Sequence, residues 1–337
     1  MRTWHLTPGT TGTDALTFGE SEVPEPGPGE VRVAVRAASV NYRDQIIVNG
    51  GFGLTIAEPT VPLSDASGVI DAVGPGVDRW RVGDEVVSVY VKGWIDGPPP
   101  AAMGFGLGSP GEDGVLAEYI VLAADRVATK PASLSFVEAA TLTCAGMTAW
   151  SALTADHPVQ PGQRVLTMGT GGVGLFALQL ALAMGANVIS LTSGEDKAAR
   201  LRELGASQVL NYRTTPDWGL VVAASTGGVD KIVNSSGGDA MTQSIMAVGG
   251  LGEIAVMGLF SAGDEALPLP VLMSKGASIR GSTVGSSTDL ARFGAYIDEH
   301  AIKPIIGQVF PFAEAKAAYE AQARPGVFGK IVIEVAQ

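Results

Sequence analysis

Residues 164–191, RVLTMGTGGVGLFALQLALAMGANVISL, constrain this chain's fold more than any other stretch. A short apolar run, RVLTM, leads directly into GTGGVG (169–174) and an apolar segment that breaks at MGAN into a second run, NVISL. Strand, glycine turn, helix, strand is the opening of a parallel α/β sheet that seats a pyrophosphate on the helix N-terminus. Gly169 permits the tight turn, Gly171 lets backbone approach the anion, and Gly174 lets helix and strand pack closely. Gly172 and Val173 lie between them, where the first helical N–H groups are free to hold the anion. The apolar stretch 173–191 has the length of a membrane span. However, Gln179, Gly185 and Asn187 interrupt it, so a buried helix followed by a buried strand is expected.

Five further runs, NVISLT, QVLNY, KIVNSS, EIAVMG and ASIRGS, follow RVLTM, with helical or mixed segments between them. One of these, EDKAARLRELG, is amphipathic and ends at a glycine stop. Six strands alternating with helices predict a doubly wound, parallel Rossmann sheet over residues 126–285. The N-terminal part differs. EVRVAVRAASV alternates apolar and polar residues, and ASGVIDAVGPGV, GDEVVSVYV and GVLAEYIVLAADRVATK read similarly, so a compact β-rich unit is expected. Residues 92–114 form a Gly/Pro-rich loop of the length that functional lids have. The tail adds a helix, STDLARFGAYIDEH, and a strand, GKIVIEV. With 337 residues, two domains are expected.

The formal charge of −12 argues against a nucleic-acid partner and an anionic membrane surface. One cysteine, Cys144, excludes an internal disulfide and any site of several Cys ligands. The N-terminal MRTWHLTPGTTG has no apolar signal core, so a cytoplasmic location is expected.

The second strand ends Leu191-Thr192-Ser193-Gly194, with no carboxylate for a ribose 2′-OH at its end. Ser193 and Lys197, with Tyr212 and Arg213 after the third strand, suit a 2′-phosphate better. NADPH is therefore expected over NADH.

These residues, in this order, resemble the medium-chain dehydrogenase/reductase superfamily. The resemblance extends over NYRDQIIVNG (41–50), VPLSDASGVIDAVGPGVDRWRVGDEVV (61–87), TLTCAGMTAW (141–150), GTGGVG and FGKIVIEV (328–335). It is strongest to zinc-free quinone-oxidoreductase-like proteins, enoyl reductases and alcohol-dehydrogenase-like proteins. The resemblance implies a GroES-like catalytic domain, here 1–125 with 286–337, split around the Rossmann domain. It also implies a homodimer or tetramer joined through the sixth strands near 277–283. Zinc relatives bind their catalytic metal through three positions that here carry Asn41, Ser64 and Cys144, with Asp65 beside Ser64. Asn and Ser are poor zinc ligands. No zinc is expected, and Cys144 reads as a packed remnant rather than a reactive thiol.

Without a Lewis acid, hydride transfer needs hydrogen-bond donors where negative charge develops, and a conjugated enone or a quinone spreads that charge. Asn41 and Tyr42 are the expected donors, Arg43 a source of positive charge, and Ser64 a further donor. By resemblance, Thr148, Met257, Gly258, Thr283, Val284 and Lys330 fall near the nicotinamide or the phosphates. Loops 45–60 and 92–114, with Trp94 and Phe105, are expected to shape an apolar pocket for a small-molecule substrate. Two other readings stay open: a metal-free alcohol dehydrogenase or ketone reductase, and a non-enzymatic NADPH-binding sensor or structural protein.

Overall fold

The computed structural model describes residues 1–258 and 266–335. Its strands are β1 (Arg2–Leu6), β2 (Leu16–Glu20), β3 (Glu30–Val40), β4 (Asp65–Val73), β5 (Glu85–Ser88), β6 (Tyr119–Ala123), β7 (Val127–Thr129), β8 (Arg164–Met168), β9 (Asn187–Thr192), β10 (Gln208–Asn211), β11 (Val229–Asn234), β12 (Val248–Val256), β13 (Ser278–Gly281), β14 (Ile306–Pro311) and β15 (Lys330–Glu334). The α-helices are α1 (Tyr42–Val48), α2 (Phe136–Ala139), α3 (Met147–Thr154), α4 (Gly172–Ala183), α5 (Glu195–Glu203), α6 (Trp218–Thr226), α7 (Met241–Ala247), α8 (Leu269–Lys275), α9 (Ser287–Glu299) and α10 (Ala315–Ala323).

The chain divides into two compact units, Met1–Met147 with Gly285–Gln337, and Thr148–Val284. The boundary falls later than the expected 125/126. Residues 126–147 stay with the first unit because β7 pairs with β5 and side chains of its strands hold the segment that follows. Ser67 Oγ donates to Phe136 O (2.6 Å), Ser39 Oγ to Ala140 O (2.9 Å), and Thr143 Oγ1 donates to Ser88 O (2.8 Å).

The second unit is a parallel sheet in the order β10-β9-β8-β11-β12-β13. The expected Rossmann architecture is present, with the strand order reversing between β8 and β11. A crevice at the carboxyl ends of the strands is the ligand-binding place of such sheets. The apolar stretch that could have spanned a membrane by length is α4 followed by β9. Seven of the twelve residues of α4 are buried, as a helix that is apolar nearly all round requires. Among the described residues, no helix is long and apolar enough to cross a membrane. Leu166, Met168, Ile189, Leu191, Ile232 and Ile254 form the core beneath the strand ends.

In the first unit, β14-β15-β3-β4-β5-β7 run in that order, with β6 also on β3 and the hairpin β1-β2 beside them. The run EVRVAVRAASV is β3, the hub strand. Its burial is less alternating than the sequence suggests, because residues 37–40 are covered on both faces. Ala37 packs with Ala140 and Val332, next to Phe136 and Val137 of α2. The register Ile331↔Val40 places Lys330 against the end of β3, where α1 begins.

Candidate active site

In the second unit, the glycine turn has the geometry its spacing requires. Gly169 has φ 77°, in the left-handed region that favours glycine. A Cβ on Gly174 would stand 2.5 Å from both Gly169 O and Met168 O, so only glycine lets α4 approach β8 this closely. Gly171 is exposed in extended backbone, and a Cβ there would meet nothing within 4 Å. Gly172 and Val173 are half-buried in the first turn of α4. This open cradle, walled by backbone N–H groups at the positive end of a helix, fits the pyrophosphate of a dinucleotide.

The loops after β11 and β12 border the same strand ends. Gly237 N and Ser236 N donate to Asn234 Oδ1 at 2.9 and 3.1 Å. Met257 N and Gly258 N both donate to Asn234 O at 3.1 Å. A Cβ on Gly258 would sit 2.2 Å from Gly237 N, so the two loops touch backbone to backbone. Thr148 is buried in α3, and Thr283 and Val284 follow β13, the first half-buried and the second buried.

Beyond β9, Lys197 Nζ in the first turn of α5 donates to Ser193 Oγ, just before the helix N-cap, at 3.4 Å. Burial, and then the nearby Arg213 guanidinium, push the Lys197 ammonium below its ordinary range. Two cations held close together beside a hydroxyl form a place for an anion. Tyr212 N donates to Thr192 O at 3.0 Å, and its side chain is exposed. Glu195, the nearest carboxylate after the strand, is paired with Arg202 at 2.7 Å.

In the first unit, the NYRD segment opens α1. Asp44 Oδ2 accepts from Asn41 N at 2.8 Å, closing the helix start as a capping box does. Arg43, expected to lend charge to a substrate, is buried. Its Nη1 donates to Asp44 Oδ1 and Leu107 O, both at 2.8 Å, and Nη2 donates to Phe105 O at 2.6 Å. The guanidinium also lies 5.2 Å from the Tyr90 ring centroid. Arg43 thus fastens the 92–114 loop to α1. Burial pushes the Asp44 carboxyl up, opposed by Arg43 and the Asn41 N–H. Tyr42, the first residue of α1, is half-buried.

The rest of that loop is pinned as well. Ser287 N and Thr288 N donate to Trp94 O (2.9 Å) and Ile95 O (3.0 Å), and Arg126 pairs with Glu112. Trp94 is buried, whereas Phe105 stacks on the exposed Phe52 with centroids 6.2 Å apart. The lid expectation therefore narrows to residues 96–102 between these anchors, exposed apart from the half-buried Pro100.

Ser64, Cys144 and Lys330 complete the polar cluster. Ser64 Oγ donates to Asp65 Oδ1 at 2.6 Å, and Cys144 N donates to Asp65 Oδ2 at 2.9 Å. Cys144 sits in a π-helical turn, Leu142–Gly146, a local widening that the sequence did not reveal. Burial, and then the Asp65 carboxylate, push its thiol well up. Lys330, expected near nicotinamide or phosphate, is buried, its Nζ donating to Val40 O (2.8 Å) and to Asn41 Oδ1. An amide oxygen taken by the Lys330 ammonium and a hydroxyl committed to Asp65 do not fit a zinc ligand set.

A Rossmann sheet with this glycine turn, joined to a split β-rich unit carrying such a cluster, defines a class of two-domain oxidoreductases. Comparison with known families and proteins agrees. The pattern of the "Alcohol dehydrogenase GroES-like domain" matches residues 27–132, and that of the "Zinc-binding dehydrogenase" matches residues 172–299. A zinc-type alcohol dehydrogenase-like protein of Schizosaccharomyces pombe is 39% identical over 336 residues, 96% of each chain. A 2-haloacrylate reductase of a Burkholderia species is 30% identical over 343 residues, again 96% of each. The solved structure of an NAD-dependent alcohol dehydrogenase superposes with a TM-score of 0.89 at 35% identity, covering 100% of both chains. The chain belongs to the medium-chain dehydrogenase/reductase superfamily, as an alcohol dehydrogenase-like oxidoreductase.

Proposed function

We propose that this protein is an NADPH-dependent, zinc-independent reductase of conjugated carbonyl compounds, enones or quinones. The observation that carries this reading is the Lys330 ammonium bound to Asn41 where zinc relatives have their first ligand. NADPH supplies hydride. The chain's own residues must bind and orient the acceptor and stabilise the oxygen that gains the electron pair. In an enone, hydride adds to the β-carbon, the C=C electrons shift to form an enolate, and the α-carbon then takes a proton. Asn41 and Tyr42 are the hydrogen-bond donors for the enolate oxygen, and Tyr42 is the proton source. Ser64 and Arg43 act indirectly, through Asp65 and Asp44. The similar 2-haloacrylate reductase is named for a substrate of this conjugated kind.

The pyrophosphate rests on the turn 169–174, with Thr148, Met257, Gly258, Thr283 and Val284 toward the nicotinamide end. Ser193, Lys197, Tyr212 and Arg213 take the 2′-phosphate. Each charge-assisted hydrogen bond of that kind contributes roughly 1.5–3 kcal/mol. Lys197→Ala and Arg213→Ala should therefore each lower the NADPH-over-NADH ratio of kcat/KM by about 10-fold or more. An unchanged ratio would place the 2′-phosphate elsewhere. A homodimer through β13 completes the reading: this edge strand is mostly exposed, with Ile279, Met273, Leu269 and Leu251 exposed in the same unit.

A second reading, metal-free reduction of a plain carbonyl, is favoured by the NAD-dependent alcohol dehydrogenase among similar structures. Product analysis decides. Metal-stripped protein, NADPH and 3-nonen-2-one should give the saturated ketone by mass spectrometry. The allylic alcohol would instead establish carbonyl reduction.

A further inference from the structure

Lys330 is 4% exposed and Asn41 is 6% exposed. The Asn41 backbone is fixed from one side, its N–H given to Asp44 Oδ2. The side chain is fixed from the other, where the Lys330 ammonium donates to Oδ1 and to Val40 O. An ammonium carries only donors. The flipped amide would set N–H against N–H, so this contact dictates which end of the amide faces Lys330. The other end, Nδ2, is buried and has no hydrogen-bond partner among the described residues. A buried amide N–H without an acceptor is costly, and such a group in a native fold calls for an explanation. Burial pushes the Lys330 ammonium below its ordinary range, and the Asp65 and Asp44 carboxylates oppose that push.

We propose that Lys330 is a positioning residue: it locks the Asn41 amide so that Nδ2–H is the fixed donor for the substrate oxygen on which negative charge develops. This rests on the reductase reading above. It departs from a phosphate-binding role for Lys330, because two of the three ammonium donors are already committed within the first unit. No bond to Lys330 forms or breaks. The oxygen gains the electron pair displaced by hydride addition, and Nδ2–H donates to it without giving up its proton.

The test is a double-mutant cycle read by two methods: steady-state reduction of 3-nonen-2-one with NADPH, and NADPH binding by fluorescence titration. Removing one oxyanion donor typically lowers kcat by about 100-fold or more. Asn41→Ala should do so, and Lys330→Met should lower kcat by about 10-fold or more with KM changed less than about threefold. In the Asn41→Ala background, Lys330→Met should lower kcat no further. The NADPH dissociation constant of Lys330→Met should stay within about twofold of the parent. Equal losses of kcat in both backgrounds, or tenfold weaker NADPH binding, would overturn the inference. Should Lys330→Met fail to fold, Asn41→Asp carries the test. It keeps an acceptor for the ammonium and removes Nδ2–H, so folding and NADPH binding should persist while kcat falls about 100-fold. A parental kcat in Asn41→Asp overturns the proposal. If the parent protein reduces no enone, the reductase reading has failed, and the NADPH titration of Lys330→Met still decides against a phosphate role or for it.

Discussion

Gly171→Asp is expected to fold with an unchanged or higher melting temperature and to bind NADPH at least about 100-fold more weakly. Gly171 is the N-cap of α4 in extended backbone, and a side chain there would meet nothing within 4 Å. Asp is among the best N-cap residues, so helix α4 should gain rather than lose. The carboxylate would occupy the space where a phosphate must approach. Two like charges about 4 Å apart near a protein surface repel by about 4 kcal/mol, more than the 100-fold asked of it. Gly174→Ala is the contrasting variant. Its Cβ would lie 2.5 Å from two backbone oxygens, so it should destabilise the fold by about 1–3 kcal/mol even without cofactor. Thermal melting and a fluorescence titration separate the two effects. Parental NADPH affinity in Gly171→Asp would show that the turn does not hold the phosphates.

Glu253→Gln is expected to destabilise the Rossmann unit by about 3–5 kcal/mol. Glu253 on β12 lies beside Lys231 on β11 in register, with Nζ 2.8 Å from Oε1 and both side chains almost fully buried. Arg280 Nε stands 3.2 Å from the same oxygen, while Arg280 also reaches Asp156 and the carbonyls of Ser151 and Ala152. Burial already pushes the Lys231 ammonium below its ordinary range, and Glu253 opposes that push. With the carboxylate gone, the pKa falls further in the folded protein only. The folded state then binds fewer protons than the unfolded one, so the variant's stability should rise with pH between that lowered pKa and the ordinary lysine range. Replacing both partners by Leu should recover most of the loss. Urea denaturation at several pH values reads both effects. A loss below about 1 kcal/mol would mean that water or rearrangement supports Lys231 in place of Glu253.

What the sequence made legible was local. The run 30–40 became β3, and the six apolar runs became the six strands of one parallel sheet, because strand length, glycine punctuation and helix periodicity are written over short spans. Ser193, just before the N-cap of α5, and Lys197 in its first turn, four residues apart, meet as their short separation allows. Contacts across the chain were not legible. Lys330 reaches Asn41 over 289 positions, and Arg43 reaches Phe105 and Leu107 over 62 and 64. Nothing in NYRD announces that its arginine turns inward to hold a loop. The π-helical turn at Cys144 reads in sequence as an ordinary apolar helix, because the extra backbone residue leaves no compositional mark. The late unit boundary has the same origin: α2 is held by side chains of β3 and β4 far earlier in the chain.

The most direct measurement is metal content together with metal dependence of the reaction. Protein produced in zinc-supplemented medium is assayed by mass spectrometry of the metal, then treated with a chelator and given NADPH and 3-nonen-2-one. The proposed zinc-independent reaction predicts under about 0.1 zinc per chain and an unchanged rate after chelation. About one zinc per chain, with activity lost on its removal and restored on its return, would contradict it.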